Sequence, residues 1–128
     1  MEKLVIDRKK WLRGQGAGTL LVTEDWRDAR EPDIFPVGNM CCLGFECLRH
    51  GVSEDELGGE TFPKNLSKRE RVKLPAWLGQ IDTNGDHIDE TVVVLARVND
   101  ATDLSEGARE LEITRLFATQ GVEVEFIN

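Results

Sequence analysis

The chain has 128 residues, 40% of them hydrophobic, and a formal net charge of −8. That length suits one domain, residues 1–128, able to bury a core without disulfides or metal. The charge speaks against direct nucleic-acid binding, which needs a basic surface, and no window approaches the roughly 18 apolar residues of a membrane span.

Leu4, Val5 and Ile6 predict a short strand, and Asp7 suits the N-cap of a helical turn through Trp11 and Leu12. Gly14, Gly16 and Gly18 mark a loop. Residues 19–23 predict a strand by β-branching, 24–33 a charged excursion, and 34–37 a further short strand. Residues 40–51, Met-Cys-Cys-Leu-Gly-Phe-Glu-Cys-Leu-Arg-His-Gly, form the densest apolar run. Being apolar on nearly every side, they predict a buried central helix, with Gly51 just past its end. Gly44 weakens that helix by about 1 kcal/mol relative to alanine, which makes sense where another backbone crosses close by.

Ser53 followed by Glu56 has the capping-box pattern and predicts a helical turn ending at Gly58 and Gly59. Residues 60–74 show no period and predict a long surface loop. Pro75 suits the first position of a short helix with Trp77 and Leu78, and residues 80–87 are polar and turn-rich. In residues 89–98 the β-branched Thr91, Val92, Val93 and Val94 favour strand. Asp89 as N-cap, with Val94, Leu95 and Val98 at helical spacing, favours helix, the better-supported reading. Asn99 and Asp100 end it. Ser105 caps an amphipathic helix with Leu111, Ile113, Leu116 and Phe117 as its apolar residues, stopped by Gly121. Val122, Val124 and Phe126 alternate with Glu123 and Glu125, the period of a half-buried strand. The order predicts an α+β domain: a small, mainly antiparallel sheet packed on a buried central helix and a C-terminal amphipathic helix.

The N-terminal residues have no apolar core of a secretion signal, and the three cysteines include the adjacent Cys41 and Cys42, which suit no ordinary disulfide framework. Free thiols in a cytoplasmic protein are expected. Cys41 or Cys42 at a helix N-terminus has the position of a thiolate nucleophile. Only His50 and His87 are available as its base, and buried structural thiols are the better reading. Cys42, Cys47 and His50 lack the spacing of a zinc site. Asp82-Thr83-Asn84-Gly85-Asp86 begins like a calcium loop, but His87 and Val93 stand where that loop needs glycine and glutamate. No catalytic residue, metal or cofactor is therefore assigned.

The glycines at 14, 16 and 18 lack the strand-before, helix-after context of a dinucleotide fingerprint. Two readings remain: a flexible turn, or a small-anion cradle made by Trp11, Arg13 and the amides of Gly14 and Gly16. Asn99 and Asp100 are either a capping turn or a polar pair aimed at a ligand's hydroxyls or base edge. Arg97, Arg109 and Arg115 are near enough in sequence to hold phosphate.

Trp11-Leu12-Arg13-Gly14-Gln15-Gly16, Met40-Cys41-Cys42-Leu43-Gly44-Phe45, Asn99-Asp100, Arg109-Glu110, Leu116-Phe117 and Gly121-Val122-Glu123-Val124-Glu125-Phe126 follow one another in that order. The set resembles a broad family of small proteins encoded by tailed bacteriophages and prophages, over most of the chain except roughly residues 24–36 and 60–90. The resemblance implies a structural Cys-Cys pair and functional Trp-x-Arg-Gly-x-Gly and Asn-Asp elements. By analogy with other small phage proteins that lack catalytic motifs, it implies a counter-defence role. The expectation is a non-enzymatic homo-oligomer in the bacterial cytoplasm that acts as a sponge. Its ligand would be a nucleotide-derived immune signal of the cyclic oligonucleotide or cyclic ADP-ribose type, held by Trp11, Arg13, Gly14, Gly16, Asn99, Asp100 and Arg109. The alternatives are an acidic, protein-binding inhibitor of a host defence factor and a cysteine-dependent enzyme.

Overall fold

The two ends of the chain lie side by side in the computed structural model, which describes residues 2–14, 16, 21 and 39–128. Strand β1 (Glu2–Asp7) pairs with strand β2 (Val122–Ile127) in parallel, with Leu4 opposite Val124 and Ile6 opposite Phe126. The expected mainly antiparallel sheet is therefore corrected: among the described residues the sheet is two-stranded and parallel. The alternation of apolar and acidic residues in β2 fixes which side chains face inward and says nothing of strand direction. Direction is set by the connection. Parallel strands need a long crossover, and the helices between β1 and β2 supply it.

Six α-helices fall among the described residues: α1 (Cys42–Arg49), α2 (Glu54–Leu57), α3 (Lys68–Arg71), α4 (Ala76–Gly79), α5 (Thr91–Asp100) and α6 (Glu106–Ala118). Helix α1 is the central element. Cys42, Leu43 and Cys47 have no exposed surface, and the helix packs against both β1 and α5. The carbonyl oxygen of Leu21 sits where a side chain at Gly44 would begin, so a crossing backbone does account for that glycine.

Residues 91–100 are helical, because the tertiary contacts reward helical spacing over β-branching: Val92, Leu95 and Asn99 all face inward. Asn99 and Asp100 belong to the last turn of α5 rather than following it. Asp89 acts at the start, its Oδ1 accepting from the Thr91 amide at 2.9 Å. Ser105 caps α6 by accepting from the Ala108 amide at 3.2 Å, and Ile113, Leu116 and Phe117 are buried. Leu111 is instead 70% exposed, on the outer face of that helix.

Three local readings change. Residues 8–10 form a turn instead of a helix, and Trp11 makes an isolated parallel bridge to Met40. The supposed loop 60–74 holds a 3-10 turn, Pro63–Asn65, and α3. The Ser67 hydroxyl accepts from the Glu70 amide at 3.4 Å, the same Ser-x-x-Glu signal that marks Ser53 and Glu56. Pro75 precedes α4 as its N-cap. The strands read at 19–23 and 34–37 and the excursion 24–33 lie outside the described residues, apart from Leu21. No helix among the described residues is long and apolar enough to cross a membrane.

Candidate functional site

Asn99 is completely buried, and every polar atom of its side chain is used. Its Oδ1 accepts from the Trp11 indole N–H at 2.8 Å and from the Cys42 amide at 3.0 Å. Its Nδ2 donates to the Leu12 carbonyl at 2.9 Å and to Asp100 Oδ1 at 3.1 Å. Cys41, the N-cap of α1, supplies no side-chain cap, so Asn99 caps that helix from across the core. One amide thus ties the N-terminal segment, α1 and α5 together.

The seven residues singled out from sequence gather at this junction. The Gly14 amide donates to the Asn99 carbonyl and the Gly16 amide to the Asp100 carbonyl, each at 2.8 Å. Both glycines have positive φ, 70° and 83°, which lets the segment turn back along the end of α5. Arg109 is 5% exposed and donates to the carbonyls of Val98, Ala101 and Leu104. Its guanidinium lies against Gly14, where a Cβ would come within 3.1 Å of it.

That chemistry is directed inward. Trp11 is 3% exposed, with the Arg13 guanidinium 4.6 Å from its ring centre and Phe126 tilted against it at 5.1 Å. It offers a ligand no free face. Arg13 donates to the Arg8 and Trp11 carbonyls at 2.9 and 2.8 Å and pairs with Glu106 at 3.1 Å. The amides of Gly14 and Gly16 are committed to the end of α5, so they make no anion cradle. Trp11, Arg13, Gly14, Asn99 and Arg109 build the framework of this junction.

A cleft of about 660 Å³ opens beside it. Gly16 and Asp100 line it, together with Thr61, Phe62, Arg97, Thr102 and Asp103. Its volume is that of an ordinary small-molecule site. Arg97 and Asp100 are one turn apart on α5 and share a face. Arg97 is exposed and has no ion pair among the described residues. Asp100, which lines the cleft, is steadied by Asn99 through Oδ1, and its Oδ2 has no partner among the described residues. The sequence had marked Arg97 and Asp100. It gave no sign of Phe62, which stands in an aperiodic stretch, or of Thr102 and Asp103, which look like any polar turn.

Of the remaining reactive side chains, Cys41 also lines the cleft and the others lie outside its lining. Cys41, Cys42 and Cys47 are buried free thiols. Burial pushes Cys41 up to about 12 and the other two well above the usual thiol range. These groups stay protonated at neutral pH, the opposite of an activated thiolate. His50 contacts Arg49 at 3.1 Å and lies 3.7 Å from Glu46, while His87 Nε2 accepts from the Lys64 amide at 3.2 Å. Among the described residues no cluster of His, Cys, Asp and Glu has the arrangement of a metal site. Asp82 Oδ1 accepts from the amides of Asn84 and Asp86, at 2.8 and 3.0 Å, closing its own turn.

Sequence reasoning also missed Glu46, a fully buried carboxylate that Arg49 holds at 2.5 and 3.0 Å while reaching Glu2 on β1 at 2.9 Å. The Glu-x-x-Arg spacing on the central helix was its only signal.

The chain matches no protein-family model, no curated protein and no solved structure.

Proposed function

We propose that this protein is a non-catalytic binder that sequesters a nucleotide-derived ligand in the cleft beside α5. The observation that supports this best is the pairing, in one 660 Å³ cleft, of a cation free of ion pairs among the described residues with two carboxylates and an aromatic ring. Arg97 is suited to one phosphate group, in a bidentate contact. Phe62 supplies apolar surface for a base, and such contacts contribute on the order of 1–3 kcal/mol when they stack. Asp100, Asp103 and the hydroxyls of Thr61 and Thr102 match ribose hydroxyls and base N–H groups.

Charge narrows the class. One arginine faces two aspartates in a chain of net charge −8, so a triphosphate is disfavoured by both the local and the global field. A phosphodiester, with one charge per nucleoside, suits the lining better. Cyclic nucleotides and cyclic dinucleotides have that property. The role expected of a phage-encoded sponge, holding such a signal without converting it, is compatible with a site of this kind.

The test is thermal unfolding with 3′,5′-cyclic nucleotides, cyclic dinucleotides, cyclic ADP-ribose and ATP, each at about 1 mM. A phosphodiester ligand should raise the melting temperature, Arg97→Ala should remove that rise, and mass spectrometry after heat release should recover the ligand unchanged. No shift with any member of the panel overturns the reading, and recovery of a converted product makes the protein an enzyme.

A further inference from the structure

We infer that the cleft selects guanine over adenine, with Asp100 reading the base; this rests on the cleft being a nucleotide site. The Watson–Crick edge of guanine presents two adjacent donors, N1–H and the 2-amino group. The matching edge of adenine presents a donor beside an acceptor, which needs an amide of the asparagine or glutamine kind. Among the described residues lining the cleft there is no asparagine, glutamine, lysine or histidine, and its side-chain carboxylates are Asp100 and Asp103. A carboxylate accepts twice and donates nothing when ionised. Facing guanine it makes two charge-assisted hydrogen bonds; facing adenine it sets an oxygen lone pair against the N1 lone pair.

Asp100 is favoured over Asp103 because it is held in place. Asn99 Nδ2 donates to its Oδ1 at 3.1 Å, and Asn99 is itself fixed by Trp11, Cys42 and Leu12. Among the described residues that is the only bond to this carboxylate, which leaves Oδ2 and one lone pair of Oδ1 for a ligand. Asp103 is exposed on the loop between α5 and α6 and has no hydrogen bond among the described residues to orient it. A preorganised carboxylate loses less freedom on binding and discriminates better. Arg97, one turn earlier on α5, then falls to the phosphate.

The experiment is calorimetric titration of the full chain with cyclic GMP against cyclic AMP, and with the diguanylate against the diadenylate cyclic dinucleotide. The guanine ligand of at least one pair should bind about tenfold or more tightly, the discrimination one bidentate contact gives. Asp100→Asn, nearly identical in shape, should bring the ratio to about one or invert it, while Asp103→Asn should leave it unchanged; unaltered melting temperatures show both variants folded. Equal or adenine-favouring binding by the unmodified protein overturns the guanine inference and leaves the nucleotide site standing. A ratio that responds to Asp103→Asn instead moves the reading role away from Asp100 and overturns the assignment. Absence of binding by all four ligands removes the nucleotide site and this inference with it.

Discussion

Replacing Asn99 with alanine removes the acceptor shared by the Trp11 indole and the Cys42 amide, and the donor to Leu12. Each buried polar group left without a partner costs about 1–3 kcal/mol. Asn99→Ala should therefore lower the unfolding free energy by about 3–5 kcal/mol, read from urea denaturation, and a loss below about 1 kcal/mol would contradict the hub role. On sequence alone the same substitution is expected to abolish ligand binding with stability little changed. Burial reverses that expectation, because a side chain with no exposed surface acts on the fold first. Arg97→Ala is the contrasting change: the side chain is exposed and makes no ion pair among the described residues, so its stability effect should stay within about 0.5 kcal/mol. The cysteines give a second residue-scale outcome. With Cys41 pushed up to about 12 by burial, and Cys42 and Cys47 raised as well, a disulfide reagent at neutral pH should label all three slowly in the folded protein. Labelling should become fast on addition of denaturant, and one rapidly reacting thiol in the native state would show an accessible thiolate instead.

Two helical glycines have opposite surroundings, and the difference sets the sign of an alanine substitution. In α1, a Cβ at Gly44 would collide with the Leu21 carbonyl and press on Met40 Cβ at 2.9 Å. Both obstacles are fixed, one being backbone and the other the root of a buried side chain. Gly44→Ala should destabilise by at least about 1–3 kcal/mol, the usual range for overpacking. In the first turn of α6, a Cβ at Gly107 meets nothing within 4 Å. Gly107→Ala should stabilise by about 0.4–1 kcal/mol through the unfolded chain. Chemical denaturation of both variants checks the pair, and the same sign for both would refute the close-approach account. The Gly44 contact was readable from sequence, since a glycine inside an apolar helix carries a propensity cost that some neighbour must justify. So were the caps at Ser53 and Ser105 and the alternation in β2. The sheet direction was not readable, because period-two patterning is identical for parallel and antiparallel strands. The inward role of Trp11, Arg13 and Arg109 was hidden as well. An aromatic or guanidinium group has the same chemistry whether it meets a ligand or the chain's own polar groups, and only the tertiary paths of residues 8–11 and 98–104 decide between them.

At the scale of the whole molecule, an ion pair and a buried histidine act on stability in different pH ranges. Arg8 holds Glu110 below the usual carboxylate range, so that pair stabilises the fold above the ordinary glutamate value and weakens only as pH falls through the lowered one. His87 acts at higher pH. Burial, aided by the Lys64 ammonium and the Arg71 guanidinium and opposed by Asp86, lowers it from 6.5 to about 4. Because the folded value is the lower, the unfolded chain takes up this proton first on acidification. The stability associated with neutral His87 is therefore complete above about 6.5 and is lost progressively as pH falls toward about 4. Over the same interval, protonation reduces the net charge of −8 and relieves self-repulsion, which acts in the opposite sense. A comparison of variants separates the two, since the global charge term is nearly common to both proteins. His87→Gln keeps an acceptor for the Lys64 amide and cannot titrate. Urea midpoints measured at intervals from pH 7 to pH 4 should fall more steeply for the unmodified protein than for His87→Gln, with the difference confined to the interval between the two His87 values. Parallel curves would mean that solvent reaches the His87 ring in the folded state, and that acid sensitivity in this range has another origin.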